Sequence, residues 1–403
     1  MNKRILFVDD EPMVLQGIQR SLRPMRKEWE MEFASSGAEA LATMERIPVD
    51  VVISDMRMPG MSGAELLEQV KFRFPRTVRM VLSGQSDQET ILRSIGPTHQ
   101  YLSKPCDVAD LRQKLNQAFA LRDLLDNPKI KEIVSRIDTL PSLPSLYVAI
   151  TRALEAPDTS ISEIGKIIAK DIGMSTKVLQ LVNSAFFCLP CHVSNPNQAV
   201  ALIGIDNIRA LVLSVHVFSE CGQRLAQELS FLWAHSISTA TFAKAIARSQ
   251  GVARSVEDDS FTAGLLHDVG MLVLASACAA EYRSVLRKAA DNGGTIHATE
   301  QAALGCTHAE VGAYLLGLWG LPDPIVEAVA WHYRPALAQP AGFSPLIAVH
   351  AADAFDRRIN SESFPFKSEP VDESLLSNLG LNNRLQEWAK ACEEFDLTGE
   401  NNA

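Results

Sequence analysis

The sequence predicts a multidomain protein in which a parallel α/β domain is followed by an all-α domain. The chain has 403 residues, more than one ordinary domain contains. Up to about residue 122, short β-rich runs alternate with amphipathic stretches, and this alternation is typical of a parallel sheet covered on both faces. Beyond residue 140 the strand signals disappear, and helical periodicity recurs to about residue 355.

The first domain, assigned to 1–122, is predicted to contain five strands with helices between them. Helical patterns lie between the strands, for example over 11–22 and 64–72. The periodicity from 108 to 137 predicts a last helix that runs into a connecting helix over 123–137. The five strands are expected near 4–8, 30–34, 50–54, 78–83 and 99–102.

The second domain, assigned to 138–356, is predicted to be helical throughout. The run Ser160-Ile161-Ser162-Glu163 has the spacing of a capping box, which predicts that a helix begins there. The last segment, 357–403, holds five basic and nine acidic side chains. We expect this acidic extension to form a loop followed by one helix over 373–395.

Composition argues against several classes of partner. The net charge is -10 and no basic stripe is visible, whereas contacts to nucleic-acid phosphates need clustered Lys and Arg. The chain enters a strand within four residues, which leaves no room for a signal peptide, and the apolar stretch 269–280 is too short to span a bilayer. Seven scattered cysteines suit reduced thiols. We therefore expect a cytoplasmic protein without nucleic-acid or membrane partners.

Polar side chains follow four of the predicted strands at the point where each strand ends. Asp9 and Asp10 follow the first, Asp55 the third, Ser83 the fourth and Lys104 the fifth. The carboxyl ends of parallel strands meet at one edge of a sheet, where open α/β folds build their sites. Three acids, a hydroxyl and a lysine at one edge can hold a divalent cation and receive a phosphoryl group.

In this interpretation Asp55 is the carboxylate that attacks phosphorus. Asp9 and Asp10, with the backbone carbonyl of Arg57, would hold Mg²⁺, a hard ion that prefers oxygen ligands. Phosphorylation adds about -1.5 to -2 charges to the accepting residue. The charge of Asp55 would therefore act as a switch.

Three further residues have roles in reading that switch. Lys104 would pair with the phosphoryl oxygens as a point charge, and Ser83 would donate a hydrogen bond to them. Movement of Ser83 towards the phosphoryl group would leave space for Tyr101 to turn inward. Tyr101 is thus the expected switch aromatic.

Several motifs resemble those of the two-component receiver domain over about 1–122. This resemblance implies a flavodoxin-like fold, phosphorylation of Asp55 by a histidine kinase, and a cis peptide at Pro105. The motifs are Val8-Asp9-Asp10-Glu11, Ser54-Asp55-Met56-Arg57-Met58-Pro59-Gly60-Met61-Ser62-Gly63 and Ser103-Lys104-Pro105.

Histidines and acids spread over the second domain form a candidate metal site. Imidazole and carboxylate groups on facing helices can converge on a transition metal inside a bundle, and a bound ion would lower the pKa of its water. The alternative is that these histidines are core residues whose hydrogen bonds are made within the protein and that they bind no metal. The candidates, for Fe, Mn or another divalent metal, are His235, His267, Asp268, His308, His332 and Asp353.

The order of these residues resembles the HD phosphohydrolase superfamily, and over about 135–355 the chain is more closely similar to the HDOD domain, a signalling output module. Catalytic HD-GYP relatives carry a lysine where Met271 stands and a second histidine where Tyr333 stands, and their Gly-Tyr-Pro signature is missing after His332. The HDOD resemblance rests on Leu140-Pro141-Ser142-Leu143-Pro144, Leu179-Gln180-Leu181-Val182-Asn183-Ser184-Ala185-Phe186-Phe187 and Trp319-Gly320-Leu321-Pro322, among others.

Two functions follow from these resemblances. The first is a response regulator whose HDOD domain is not catalytic and signals by protein–protein interaction, with a histidine kinase and a downstream signalling protein as partners. The second is a receiver-controlled metal-dependent phosphohydrolase or cyclic-nucleotide phosphodiesterase. The missing lysine and Gly-Tyr-Pro signature favour the first, and enzymatic activity stays open. Receivers commonly pair, so a homodimer is also an expectation.

Overall fold

The structure, a computed structural model, divides into two compact units, one built mainly from Met1–Asp138 and the other mainly from the rest of the chain. The domain boundaries at 122, 137 and 356 stay predictions, and most of the connecting segment 123–137 lies outside the described residues. The structure describes residues 3–83, 98–104, 108–124, 131, 134, 137, 140–142, 144–156, 159–183, 192–205, 208, 219–220, 229–291, 293–360, 366–367 and 369–398.

The first unit contains a five-stranded parallel sheet, which confirms the predicted class. Its strand order is β2-β1-β3-β4-β5, so the chain crosses from one side of β1 to the other after β2. The apolar runs 5–8 of β1 and 51–53 of β3 are buried, as expected for a sheet covered on both faces. The strands are β1 (Lys3–Val8), β2 (Trp29–Ala34), β3 (Val51–Asp55), β4 (Val78–Ser83) and β5 (Gln100–Ser103).

Helices follow the strands, and their starts are set by local capping. Ser62 and Glu65 form a capping box at the start of the third helix, with each side chain bonded to the other residue's backbone N–H. Ser36 accepts a hydrogen bond from the backbone N–H of Glu39 at the start of the second. The helices are α1 (Pro12–Ser21), α2 (Gly37–Arg46), α3 (Gly63–Arg73) and α4 (Val108–Leu124).

The second unit is mostly helical, as predicted. Ser160 caps a helix by accepting from the backbone N–H of Glu163, at the predicted capping box. The helices are α5 (Pro144–Glu155), α6 (Ile161–Ile168), α7 (Ile172–Val182), α8 (Pro196–Ile203), α9 (Ser230–Ser249), α10 (Arg254–Leu266), α11 (Val269–Ala277), α12 (Ala279–Asp291), α13 (Ile296–Leu304), α14 (His308–Leu318), α15 (Asp323–Trp331), α16 (Pro345–Ile359), α17 (Glu373–Asn378) and α18 (Leu385–Thr398).

Two details of this unit differ from the predictions. The expected single helix over 373–395 is two helices, because Gly380 between α17 and α18 adopts a φ of +71°, which glycine reaches without steric cost. A short parallel pairing also joins β6 (Pro141–Ser142) to β7 (Ser219–Glu220), where no strand was predicted. Two-residue strands are too short to leave a periodic signal in the sequence.

One apolar stretch of the second unit has the length of a membrane span. Within the described residues, Arg254–Ala277 is long and apolar enough to cross a bilayer by length and composition. Of its most apolar window, 83% is buried inside the protein, as in the core helix of a globular domain. Its residues include the turn that carries His267 and Asp268.

Candidate functional site

Three residues predicted from the first unit converge at the carboxyl edge of its sheet. The Lys104 Nζ lies 2.8 Å from Asp9 Oδ2 and 2.5 Å from Asp55 Oδ1. Both acids are buried, while the lysine side chain is 29% exposed. Lys104 therefore bridges the two carboxylates, and we name Asp9, Asp10, Asp55 and Lys104 the acid pocket.

Backbone groups fix the orientation of the two buried acids. The Glu11 N–H donates to Asp9 Oδ1 at 2.9 Å, and the Arg57 N–H donates to Asp55 Oδ2 at 3.2 Å. Gly63 lets the start of α3 approach the end of β3, since a Cβ at this position would lie 2.0 Å from the Asp55 carbonyl oxygen. The carboxylates are thus held before any ion or phosphoryl group arrives.

The electrostatics of the acid pocket favour an added cation. Burial raises the pKa of Asp55 despite the opposing charge of Lys104, and the nearby Asp9 raises it further. Burial acts to lower the pKa of Lys104, but Asp55 and Asp9 outweigh it and the lysine pKa is raised. Paired carboxylates that repel each other at one sheet edge are suitable oxygen ligands for Mg²⁺.

Some predicted residues of this pocket stay untested. Asp10 is partly buried beside Asp9, and the Arg57 carbonyl that was expected to be a ligand follows Asp55 by two positions. The backbones of Ser83 and Tyr101 belong to β4 and β5, but their side chains lie outside the described residues, as does Pro105 with its expected cis peptide.

The structure also brings together all six candidate metal ligands of the second unit. They come from five places in the chain: α9, the turn between α10 and α11, the start of α14, the end of α15, and α16. All six are buried. We name the six residues the histidine cluster: His235, His267, Asp268, His308, His332 and Asp353.

The four imidazole rings of this cluster are anchored in the same way, although their planes differ. Each Nδ1 lies within hydrogen-bonding distance of a carboxylate or carbonyl oxygen, which leaves Nε2 to face the other cluster residues. The Nε2 atoms face inward. The pairs are His235 with Asp356 Oδ2 at 2.5 Å, His267 with Gly264 O at 2.7 Å, His308 with Glu300 Oε2 at 2.7 Å, and His332 with Val329 O at 3.0 Å.

Asp268 lies at the centre of the cluster and turns one oxygen to each side. Its Oδ1 is 3.0 Å from His308 Nε2 and 3.7 Å from His332 Nε2. Its Oδ2 is 3.3 Å from His267 Nε2. Neither oxygen makes a hydrogen bond to the described residues, although the side chain is wholly buried. A buried carboxylate without hydrogen bonds is costly unless a cation pairs with it.

The protonation of the cluster depends on this carboxylate. Burial acts to lower the pKa of His308, but Glu300 and Asp268 outweigh it and raise that pKa to about 10. Burial opposes ionisation of Asp268, yet His267 and His308 hold its pKa well below the usual range. Burial lowers the pKa of His332 to about 3, so its ring is neutral. Without a metal, protons on histidine balance part of the acidic charge.

Close packing of backbones holds the cluster residues in place. A Cβ on Gly270 would lie 1.9 Å from the His308 carbonyl oxygen, so α11 and α14 can meet only at glycine. A Cβ on Gly264 would lie 2.8 Å from the Ala240 Cα, which brings α10 against α9. These two contacts set the distances between His235, Asp268 and His308.

Four residues around the cluster were missed by the sequence analysis. Glu300 is fully buried, accepts from Tyr282 Oη at 2.7 Å and faces His308. Asp356 faces His235, and Arg357 pairs with Asp353. The spacing of Asp356 and Arg357 to Asp353, three and four positions along α16, is a helical signal that could have found them. No motif marks Tyr282 or Glu300.

The donor set fits a divalent transition metal. Imidazole nitrogen with carboxylate oxygen suits Fe, Mn or Zn better than Ca²⁺ or Mg²⁺, which prefer oxygen alone. Ligand atoms of three overlapping triads of cluster residues each lie within 4.8 Å of one another. The four Nδ1 contacts are the outer hydrogen bonds that metal-binding histidines usually make.

Comparison with known proteins identifies two families along the chain. The family of the response regulator receiver domain matches residues 5–116, and that of the HDOD domain matches residues 140–335. The acid pocket lies within the first match. Of the histidine cluster, all but Asp353 lies within the second.

The curated relatives cover only part of this chain. An uncharacterized protein of Treponema pallidum is 31% identical over 245 residues, which is 61% of this chain and 47% of that protein. The hydrogenase transcriptional regulatory protein HoxA of Cupriavidus necator is 28% identical over 49% of this chain and 44% of its own. The chain spans about half the length of these relatives.

Two solved structures are similar over more of the chain. The MmoQ response regulator of Methylococcus capsulatus is 24% identical, covering 63% of this chain and 98% of its own, with a TM-score of 0.47. An HDOD domain protein of Geobacter sulfurreducens is 24% identical, covering 72% of this chain and 95% of its own, with a TM-score of 0.37. Both TM-scores are below 0.5.

Proposed function

The chain belongs to the response regulator receiver and HDOD domain families, and on that premise we propose that it is a response regulator phosphorylated on Asp55. The observation that carries the proposal is the bridge of Lys104 between Asp9 and Asp55 at the carboxyl edge of the sheet. A histidine kinase is the phosphoryl donor, and the protein acts in the cytoplasm.

The acid pocket supports this reaction through its residues. An Asp55 carboxylate oxygen forms a bond to phosphorus as the bond from phosphorus to the donor nitrogen breaks. Asp9, Asp10 and the Arg57 carbonyl would hold Mg²⁺, which would supply positive charge to the phosphoryl oxygens. Lys104 already contacts Asp55 and can turn its ammonium to a phosphoryl oxygen. Ser83 then completes the set as a hydrogen-bond donor.

The test uses acetyl phosphate and Mg²⁺ with the full-length chain, read by intact mass. We expect the wild type to gain one phosphoryl group and Asp55→Ala to gain none. Asp291→Ala removes an exposed acid of the helical unit and serves as the matched control. Equal labelling of the wild type and Asp55→Ala would refute the assignment.

We also propose that the histidine cluster binds a divalent metal ion such as Fe or Mn. Four inward-facing Nε2 atoms, and a buried carboxylate whose oxygens make no hydrogen bond to the described residues, support this proposal. Metal analysis of the purified chain is the test, with His308→Ala expected to lose metal and His192→Ala, an exposed histidine, expected to keep it. Equal metal content in both variants would contradict it.

The output is proposed to be a protein contact with a downstream signalling protein rather than turnover. Met271 and Tyr333 replace the lysine and histidine of catalytic relatives, and every residue of the cluster is buried. Metal-dependent phosphohydrolysis is the second candidate, favoured by the central Asp268. Release of product from a cyclic dinucleotide by the Mn²⁺- or Fe²⁺-loaded chain would establish it. A loaded chain without turnover would remove it.

A further inference from the structure

Arg357 places a permanent positive charge inside the histidine cluster. Its side chain is 6% exposed. The Nε lies 2.6 Å from Asp353 Oδ1, and Nη2 lies 3.5 Å from Asp268 Oδ2. The guanidinium therefore contacts two candidate metal ligands at once.

The oxygens that Arg357 contacts are those that face one side of the cluster. Asp353 Oδ1 lies 3.0 Å from His235 Nε2 and 3.8 Å from His267 Nε2. Asp268 Oδ2 lies 3.7 Å from His235 Nε2 and 3.3 Å from His267 Nε2. We name these two oxygens and two nitrogens the arginine half.

The other side of the cluster is built from different atoms. There Asp268 turns its Oδ1 towards His308 and His332. The His308 Nε2 and the Asp268 Oδ1 are both buried and without a hydrogen bond to the described residues. We name these atoms the open half, because the two Arg357 contacts described above are with oxygens of the arginine half.

We propose that Arg357 takes the place of one divalent cation, so that the cluster binds one metal ion, at the open half. This inference rests on the proposed metal binding. A guanidinium cannot lose its proton in a protein, so its charge does not give way to an incoming ion. Two cations that share the same carboxylate oxygens repel each other strongly where water is excluded.

The helix that carries Arg357 makes this arrangement rigid. Asp353 and Arg357 are four positions apart on α16, a spacing at which side chains on a helix meet. Asp356, on the same helix, holds the Nδ1 of His235 at 2.5 Å. The acid, the arginine and the orienting carboxylate are therefore positioned by one element.

The experiment compares metal content after loading the full-length chain with Mn²⁺ and removing free ions. We expect one ion per wild-type chain and two in Arg357→Met. Arg358→Met is the matched control, since Arg358 is exposed on the same helix, over the Phe355 ring, and should bind as the wild type does. Arg357→Gln keeps hydrogen-bond donors but removes the positive charge, so it should also bind two ions.

Electron paramagnetic resonance of the loaded wild type provides a readout that needs no variant. A single uncoupled Mn²⁺ is expected, and a magnetically coupled pair would overturn the inference while leaving metal binding intact. Equal stoichiometry in the wild type, Arg357→Met and Arg357→Gln would overturn it as well. No metal in any of these proteins would overturn the proposed metal binding together with the inference.

Discussion

At the scale of single residues, both sites bury two acids beside one basic side chain, and burial of a charge has a cost in free energy. Lys104 bridges two acids in the first unit, and Arg357 does so in the second. Asp55 shows the cost most directly, because burial and Asp9 together raise its pKa in spite of the lysine. An ion or a proton that reaches such a pocket is bound because it relieves that cost.

Asp55→Asn should stabilise the magnesium-free protein. A raised pKa in the folded state means that ionised Asp55 opposes folding above its unfolded pKa, and the amide removes this charge while Lys104 keeps Asp9 as a partner. The expected gain in unfolding free energy is about 1 kcal/mol, a usual size for one substitution. Urea unfolding measures it, with Asp291→Asn as the exposed control. A loss of stability in Asp55→Asn would show that the attraction of Lys104 to the Asp55 carboxylate outweighs the cost of burying it.

His308 should make the stability of the metal-free protein fall at alkaline pH. Its folded pKa of about 10 lies above the ordinary value of 6.5, so its contribution is complete below pH 6.5 and is lost as the pH rises towards 10. Thermal unfolding in a chelator from pH 7 to 9.5 is the measurement. The fall of the melting temperature with rising pH should be smaller in His308→Gln and unchanged in His192→Gln. If the melting temperature of the wild type fell no more steeply with pH than that of His308→Gln, the assignment would be contradicted.

At the scale of elements, the described glycines at helix contacts set the geometry of both sites. Gly63 lets α3 approach the strand that carries Asp55, and Gly270 lets α11 approach α14. In each case the neighbour is a backbone carbonyl, which cannot rotate away as a side chain can. The distances between functional groups therefore depend on these contacts.

Gly270→Ala should destabilise the helical unit even though alanine favours helices. The added Cβ would meet the His308 carbonyl oxygen at 1.9 Å, and relief of that overlap costs about 1–3 kcal/mol. The higher helix propensity of alanine offsets about 1 kcal/mol of this cost at most. Gly342→Ala, with no atom within 4 Å of its Cβ, is the control. Chemical unfolding that ranks the two variants equally would disprove the close contact.

Prediction from the sequence succeeded where the elements have strong periodic patterns. The five strands were found because buried parallel strands are continuous apolar runs that end in polar residues, as at Asp9 and Asp55. The C-terminal helix was predicted as one because its apolar period continues through Gly380, whose positive φ ends it. Glu300 could not be found, since a residue that acts through a tertiary contact with His308 leaves no local pattern.

At the scale of the whole molecule, the net charge of -10 argues against contacts with nucleic-acid phosphates. HoxA is named a transcriptional regulatory protein, but the similarity covers only 44% of its length, so its activity does not transfer to this chain. Release of counterions from DNA needs clustered Lys and Arg, and the sequence shows no basic stripe. Output through a protein partner is the alternative that remains consistent with the charge.

The full-length chain should not retard duplex DNA at physiological salt, with or without acetyl phosphate. Electrophoretic mobility of labelled duplexes is the measurement, with a basic DNA-binding protein as the positive control. A strong shift that weakens as salt rises would show phosphate contacts and would return transcription to the candidate functions.

A charge placed on Asp55 is proposed to change the helical domain. Amide hydrogen exchange of the full-length chain, with acetyl phosphate and Mg²⁺ and without them, measures this directly. We expect protection to change in peptides from 140–335 of the wild type and to stay constant in Asp55→Ala. Phosphorylated wild type whose exchange in 140–335 equals that of the untreated chain would contradict the claim.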